Sequence, residues 1–115
     1  MALPEFVAQH AERALAAFCD RRVPARARDQ IQLRYSARGD SITLLETRPR
    51  WNDPNAAWTE QPIARFDFDG QDGVWLLKCA DRNGRWRAYD RVGATKRFED
   101  LLGEIDRDPT GIFWG

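Results

Sequence analysis

The segment Val74–Arg91, VWLLKCADRNGRWRAYDR, contains two strand-like runs separated by Asn83-Gly84. Asn-Gly is the strongest short hairpin signal, because a type I′ turn needs positive φ at both central residues and these two residues tolerate it best. The pattern therefore predicts a two-residue turn in which Arg82 pairs with Arg85. This register assigns one face to mostly apolar side chains, namely Trp75, Leu77, Cys79, Trp86 and Ala88. It assigns the other face to Lys78, Ala80, Arg82, Arg85, Arg87, Tyr89 and Arg91.

A second hairpin is predicted upstream, where Gly39-Asp40 separates two alternating runs. Glycine suits the first position of a tight two-residue turn, so Arg38 is expected to pair with Ser41. The side chains expected on the apolar face of these strands are Ile31, Leu33, Tyr35, Ala37, Ile42 and Leu44, followed by Glu46 and Arg48. A third strand is expected to begin at Pro62, with Ala64, Phe66 and Phe68 pointing inward.

Two further segments have the apolar spacing of amphipathic helices. The first runs from Pro4 to about Arg22 and ends before Pro24, because a residue that precedes proline is pushed out of the α region. Its apolar stripe contains Phe6, Val7, Ala11, Ala14, Leu15, Phe18 and Cys19. The second helix begins near Thr95, its expected N-cap, and ends before Pro109. Its inward residues are Phe98, Leu101, Leu102 and Ile105, and Glu99, Asp100, Glu104 and Asp106 are expected to face water.

These elements predict a single α+β domain covering residues 1–115. At 115 residues the chain is long enough for one hydrophobic core and too short for two comfortable domains. The predicted architecture is a five-stranded antiparallel meander sheet with an N-terminal and a C-terminal helix packed on one face. Each helix has one apolar stripe and the sheet has one apolar face, so the opposite sheet face is left exposed.

Charge and cysteine content narrow the functional classes. The formal net charge is zero, which argues against a protein that seeks polyanions with its whole surface. No apolar run approaches the roughly 20 residues of a membrane helix and no signal-peptide pattern is present, so a cytoplasmic location without a membrane partner is expected. Cys19 and Cys79 lack Cys-x-x-Cys spacing and have only His10 as a companion ligand, so free thiols are expected and no metal or other cofactor is predicted. No catalytic motif is recognisable, and an enzyme is not expected.

The exposed sheet face is the strongest functional signal. If the sheet is continuous, this face collects Arg34, Arg38, Arg65, Lys78, Arg82, Arg85, Arg87, Tyr89 and Arg91. Arginine binds phosphates bidentately, and a sheet face with an aromatic platform can hold single-stranded nucleic acid. The leading hypothesis is a non-enzymatic module for nucleic acid or another anionic partner. The residues assigned to this binding site are Arg34, Lys78, Arg85, Arg87, Tyr89 and Trp51. Outward arginines are also often solvated or paired across strands, and Asp67 and Asp69 share the face.

A second hypothesis is a protein-interaction or homodimerisation module. It would use Trp51 and Trp58, which lie on the long loop before the third strand, together with the aromatic tail that contains Phe113 and Trp114. Aromatic side chains anchor many interfaces. The competing interpretation is that the tail docks on its own domain, because its apolar side chains can shield a large area from water.

A third hypothesis is a metal-dependent hydrolase or nuclease. Asp40, Glu46 and Arg48 faintly resemble sites in which carboxylates and a basic residue on adjacent strands hold a divalent ion. No third acidic ligand is identifiable, and arginine stands where such sites prefer lysine. Glu46 and Arg48 are therefore interpreted first as a structural ion pair.

Several motifs together resemble a known bacterial family. They are Arg38-Gly-Asp-Ser-Ile-Thr-Leu, Arg48-Pro49 with Trp51, Asp81-Arg-Asn-Gly-Arg-Trp with Tyr89, and the terminal Asp108-Pro-Thr-Gly-Ile-Phe-Trp-Gly. The chain is similar over essentially its whole length to the domain of unknown function DUF3024. The resemblance implies a small bacterial domain and brings no activity, cofactor or catalytic residue with it.

Overall fold

The computed structural model describes residues 3–53 and 55–114. Two helices flank five strands along the chain, with a short 3₁₀ helix, Ala25–Ala27, after the first helix. The elements are α1 (Glu5–Arg22), β1 (Gln32–Arg38), β2 (Ser41–Arg48), β3 (Thr59–Asp69), β4 (Val74–Ala80), β5 (Trp86–Ala88) and α2 (Phe98–Arg107). The strands form one antiparallel sheet in the order β1-β2-β3-β4-β5. The predicted α+β meander with a helix at each end is therefore confirmed.

Aromatic side chains join α2 to the sheet. The ring of Phe98 lies 4.7 Å from that of Phe66 and 4.9 Å from that of Trp75, and Phe68 lies 5.0 Å from Trp75, all between centroids. Aromatic pairs at such distances stabilise a core beyond their buried area. The buried cluster also contains Ala11, Leu15 and Phe18 of α1. We call the sheet face that packs on the helices the inner face and the opposite one the outer face.

The β1–β2 hairpin has the predicted register. Arg38 is the Cα partner of Ser41, and Gly39 carries a positive φ of 61°, as the tight turn requires. β3 begins at Thr59, three residues before the expected start at Pro62. The register between β2 and β3 shifts beside Pro62, and β4 pairs with β3 only from Ala64 onward. Pro62 therefore lies at a bulge, in a part of β3 that pairs with β2 but not with β4. The missing N–H of proline is tolerated at such a position.

The β4–β5 hairpin differs from the predicted one by one residue. Asp81, rather than Arg82, pairs with Arg85. Gly84 has a φ of 77°, and its N–H donates to the Asp81 carbonyl at 2.9 Å. This is a three-residue loop in which a left-handed glycine follows a turn. The Asp81 carboxylate explains the preference, because its Oδ1 accepts the N–H groups of Asn83 (2.8 Å) and Arg85 (2.9 Å). The prediction of a two-residue turn was wrong.

The changed register reverses the faces of β5, since a shift of one residue moves every side chain to the other side. Arg87 now pairs with Cys79 and Trp86 with Ala80. Trp86 therefore lies on the outer face, where Tyr89 was expected. Tyr89 points inward and is buried, with its ring 5.0 Å from that of Phe113.

The inward position of Tyr89 also changes the environment of Glu104 on α2. Glu104 was expected to face water but is buried, and its carboxylate accepts a 2.6 Å hydrogen bond from the Tyr89 hydroxyl. Arg107 lies 3.2 Å from its Oε1, and Arg91 lies 3.6 Å from its Oε2. The hydrogen bond from Tyr89 is the main reason why the pKa of Glu104 lies below its ordinary value, against the opposing effect of burial and with help from Arg107 and Arg91.

Two other details of the helices differ from expectation. Phe6 is 86% exposed, because at 3.6 residues per turn it lies about 140° around α1 from Ala11 and the buried stripe. Thr95 is not the N-cap of α2, since that position belongs to Arg97. The Thr95 hydroxyl instead accepts the N–H of Arg97 (3.0 Å) and lies 3.3 Å from the Asp100 carboxylate. No helix in the described ranges is long and apolar enough to cross a membrane.

The aromatic tail packs on its own domain. Asp108 adopts a left-handed conformation with a φ of 43°, and its carboxylate accepts the backbone N–H groups of Phe113 (3.1 Å) and Trp114 (2.9 Å). Trp114 Nε1 donates to the Ile105 carbonyl at 2.8 Å, and Phe113 is only 5% exposed. Ile112 remains 46% exposed. The tail is thus part of the fold, as the docking interpretation predicted.

Candidate nucleic-acid interface

The outer face is not covered by either helix and presents mixed polar and cationic side chains. Alternation along the strands assigns to it Arg34, Ser36, Arg38, Ser41, Thr43, Leu45, Arg65, Asp67, Asp69, Leu76, Lys78, Ala80, Trp86 and Ala88. Arg65 is the direct neighbour of Thr43 on β2 and of Lys78 on β4. Cationic side chains therefore reach the middle of the sheet as well as its edge.

Asp67 organises the centre of the outer face. Its carboxylate accepts Arg65 Nε, Lys78 Nζ and the Ser41 hydroxyl, each at 2.7 Å. Burial acts to raise the pKa of Asp67, but the hydrogen bonds from Lys78, Ser41 and Arg65 outweigh it, so this pKa lies below the ordinary value. The carboxylate stays ionised and holds two cations side by side. These two cations are thus partly neutralised by an internal partner.

A polar depression of about 490 Å³ lies beside this cluster, over β1 and β2. It is lined by Ser36, Arg38, Asp40, Ser41, Thr43, Leu45 and Arg65. Two guanidinium groups and three hydroxyl groups thus border one concave surface. The Arg38 side chain is exposed, and its guanidinium has no hydrogen-bonding or ionic partner within residues 3–53 and 55–114. Guanidinium and hydroxyl donors in one place are suited to phosphate oxygens.

Two partly exposed indoles flank the cationic centre. Trp86 lies on β5 beside Ala80 of β4. Strand β4, which also presents Lys78 on this face, separates Trp86 from β3. At the opposite edge, Trp58 lines a smaller depression of about 210 Å³ together with Gln32, Arg34, Thr47, Ala57 and Glu60. Indole rings on an open sheet face provide stacking surfaces for bases. Trp51, on the same long loop as Trp58, is 94% exposed.

The structure separates the residues that the sequence assigned to one binding site. Arg34 and Lys78 both lie on the outer face, but three strand spacings, about 14 Å, divide them. Arg85 lies at the end of the loop between β4 and β5. Arg87 lies on the other side of β5, where its Nε contacts Asp81 Oδ2 at 3.0 Å. Tyr89 is buried and unable to stack on a ligand at the outer face.

Sequence reasoning missed Trp86 because the register of the hairpin decides its face. The signal that identifies the correct register is the aspartate before Arg-Asn-Gly. The backbone N–H of Arg85 is the largest cause of the lowered pKa of Asp81, and Arg87 and the N–H of Asn83 lower it further. An aspartate that satisfies two loop N–H groups favours the longer loop. Arg38 was expected on the outer face but was not assigned to the binding site.

The hydrolase constellation is only partly assembled. Arg48 Nε contacts Glu46 Oε1 at 2.8 Å, so the predicted ion pair is present. Asp40 lies six residues from Glu46 along an extended strand, a separation of about 20 Å. Among the described residues, no three His, Cys, Asp or Glu side chains are grouped so that they could share a metal ion. His10 contacts Glu99 on the helix side of the molecule.

Comparison with known proteins identifies a family but not an activity. No significant match was found among curated proteins or solved structures. A family model, described as a domain of unknown function (DUF3024), matches residues 3–115. The matched range includes both helices, all five strands and the docked tail. The protein therefore belongs to the DUF3024 family.

Proposed function

We propose that this protein is a small non-enzymatic module that binds single-stranded nucleic acid, a polyanion, on the outer face of its sheet. The observation that carries the proposal is the polar depression over β1 and β2, in which Arg38 and Arg65 meet three hydroxyl groups. Phosphate recognition needs hydrogen-bond donors. The Ser41 hydroxyl already donates to Asp67, and the other donors, the two guanidinium groups and the hydroxyls of Ser36 and Thr43, lie on rigid strands rather than on loops. Arg38 is the donor whose guanidinium is unpaired in the described part of the chain, which leaves it available to a ligand.

The two flanking indoles favour single strands over duplexes. Trp58 and Trp86 lie at opposite edges of the cationic region, and both are partly exposed. Stacking of an unpaired base on an aromatic ring contributes about 1 to 3 kcal/mol. A duplex keeps its bases inside the helix and gains nothing from such rings. The face offers the combination that single-strand binding proteins use, a cationic track with stacking surfaces.

The charge balance of the face predicts weak binding. Its four cationic side chains, Arg34, Arg38, Arg65 and Lys78, are opposed by the carboxylates of Asp40, Asp67 and Asp69. Only a few phosphates can then be neutralised. For two or three phosphates on a single strand, the logarithm of the affinity should fall with the logarithm of the salt concentration with a slope of about −1.5 to −2.

Fluorescence anisotropy with a labelled oligothymidylate of about twelve nucleotides tests this proposal, because binding sites of this type cover roughly 4 to 16 nucleotides. We expect binding that weakens between about 25 and 200 mM salt and exceeds binding of a matched duplex. Arg38→Gln should weaken it at least about threefold. Arg13→Gln, which removes an exposed arginine of α1, is the matched control and should have no effect. Absence of binding at low salt, or equal losses in the two variants, would refute the proposal.

A protein contact through Trp51 is the second candidate function. Its indole is 94% exposed, which is unusual for so large an apolar side chain. The tail no longer supports this candidate, since Phe113 and Trp114 pack on the domain. If Trp51 mediates self-association, Trp51→Ala should lower the sedimentation coefficient at high protein concentration. An unchanged monomer in both proteins would eliminate the homodimer.

We also propose that the protein is bacterial, as the family resemblance implies, and that it is located in the cytoplasm. Cys19 and Cys79 are free thiols, and Cys79 is buried. Burial, followed by the nearby Asp20 carboxylate, raises the pKa of the Cys19 thiol to about 11, which keeps it protonated and unreactive. Unpaired, protected thiols are typical of proteins that fold in a reducing compartment.

A further inference from the structure

A separate cavity of about 270 Å³ lies on the inner side of the sheet, where α1 ends. Its walls are Val23, Pro24, Ala27, Ile31, Leu33 and Trp114, and its polar lining is Arg22, Glu46 and Arg48. No residue of this cavity belongs to the outer-face depression. The volume is below the roughly 300 to 1,000 Å³ of pockets for drug-sized molecules, so only a small ligand fits.

The aromatic wall of the cavity is held in place before any ligand arrives. Trp114 Nε1 donates to the Ile105 carbonyl at 2.8 Å, and the Arg22 guanidinium carbon lies 4.3 Å from the centre of the indole ring. Arg22 is itself anchored, because its Nη1 donates to Asp106 Oδ1 at 2.8 Å. A preformed wall lowers the entropy that binding must overcome.

The free N–H donors around the cavity favour a ligand with acceptor oxygens. Glu46 is largely buried, with 16% of its side chain exposed, and its Oε1 is already bonded to Arg48 Nε. Arg22 and Arg48 each use one nitrogen for a carboxylate of the protein. The remaining donors, Arg22 Nε and Nη2 and both Nη atoms of Arg48, have no hydrogen-bonding partner in the described ranges. Each guanidinium group thus already has one carboxylate partner, Asp106 for Arg22 and Glu46 for Arg48, and each keeps N–H donors free for a ligand.

We propose that this cavity binds a small organic carboxylate with an apolar body. The carboxylate of the ligand would accept the free N–H groups of Arg22 and Arg48, a charge-assisted contact. Its apolar part would lie against Leu33 and Val23 and against the indole of Trp114. A cationic ligand would meet two guanidinium groups at the same site and is disfavoured. This site is independent of the outer face, and its existence does not rest on nucleic-acid binding.

Titration of the intact protein with phenylacetate, followed by ¹H–¹⁵N NMR, tests the proposal. We expect saturable shifts of the Trp114 indole N–H and of the amides of Val23 and Leu33. Phenylacetamide and phenethylamine have similar apolar bodies without the negative charge, and both should bind at least about tenfold more weakly. Absence of saturable shifts with phenylacetate, or equal binding of the amide or the amine, would overturn the proposal.

Variants locate the binding. Arg48→Gln changes a side chain that is 60% exposed and should weaken phenylacetate binding about tenfold, whereas Arg13→Gln on α1 should not change it. Ala27→Phe fills the cavity without altering its charges and should abolish binding while the spectrum remains that of a folded protein. Undiminished binding in Arg48→Gln or in folded Ala27→Phe would place the ligand elsewhere and contradict the assignment.

Discussion

The hydroxyl of Tyr89 donates a 2.6 Å hydrogen bond to the carboxylate of Glu104, and both side chains are buried. This contact ties the end of the β4–β5 hairpin to α2. Burial, and then the hydrogen bond to Glu104, raise the pKa of Tyr89, so the hydroxyl remains a donor at neutral pH. The contact exists because the three-residue loop turns Tyr89 inward.

Removal of this hydroxyl should destabilise the protein. Tyr89→Phe leaves a buried carboxylate without its shortest hydrogen bond, and a hydrogen bond to a charged group contributes about 1.5 to 3 kcal/mol. We expect a loss of this size in the free energy of unfolding measured by urea denaturation. Tyr35→Phe is the matched control, because the hydroxyl of Tyr35 makes no hydrogen bond to the described residues. Equal losses in the two variants would show that the bond to Glu104 has no special effect.

Stability should also fall on acidification through Glu104. Its folded-state pKa lies below the ordinary value of 4.5, so the unfolded chain binds the proton more readily than the folded one. The stabilisation that ionised Glu104 contributes is therefore complete above pH 4.5 and is lost as the pH falls through the lower folded-state pKa. Urea unfolding at several pH values between about 6 and 3 should show a steeper decline for the natural sequence than for Glu104→Gln. Parallel curves would contradict this assignment.

Asp67→Asn should strengthen the binding of oligothymidylate. The change removes one negative charge and releases Arg65 and Lys78, which both now contact this carboxylate at 2.7 Å. Two free cations should raise the affinity at low salt roughly threefold and steepen its salt dependence. Anisotropy titrations measure both quantities. Asp20→Asn removes the same charge from α1, on the opposite side of the molecule, and should change neither the affinity nor its salt dependence. An equal gain in affinity in this variant would show that net charge alone explains the effect.

The docking of the tail should depend on Asp108. Its carboxylate accepts two backbone N–H groups, and its φ of 43° is unfavourable for most side chains. Asp108→Ala loses both acceptors and keeps an unfavourable conformation, so we expect about 2 kcal/mol of destabilisation in urea unfolding. Asp108→Asn tolerates the left-handed region and retains one acceptor oxygen, so it should lose less. An asparagine variant as unstable as the alanine variant would contradict this account.

The two hairpins show what could be predicted from the sequence and what could not. Gly39 at the first turn position leads to one favourable register, and the pairing of Arg38 with Ser41 followed from it. At Asn83-Gly84 two loops compete, and the side chain of Asp81 favours the longer one by bonding two backbone N–H groups. The local preference of Asn-Gly for a type I′ turn is therefore outweighed by the two hydrogen bonds of the Asp81 carboxylate. The alternation of apolar and polar residues along the strands does not reveal these bonds.

The candidate sites were predictable to different degrees for the same reason. The uncovered outer face and its arginines followed from alternation along the strands, which depends only on sequence spacing. The exchange of Tyr89 for Trp86 depended on one residue of register. The burial of Glu104 depended on a tertiary partner 15 residues away, which helix periodicity cannot identify. The cavity beside Trp114 required the path of the tail.

The most direct test of the central claim is an NMR titration of the intact protein with unlabelled oligothymidylate at low salt. If the outer face binds single strands, the shifted amides should cluster at Ser36, Arg38 and Thr43, and the Trp86 indole N–H should shift with them. Resonances of α1 should not move. Shifts confined to the loop at Arg82–Arg85, shifts on the helix side only, or no shifts would contradict the claim.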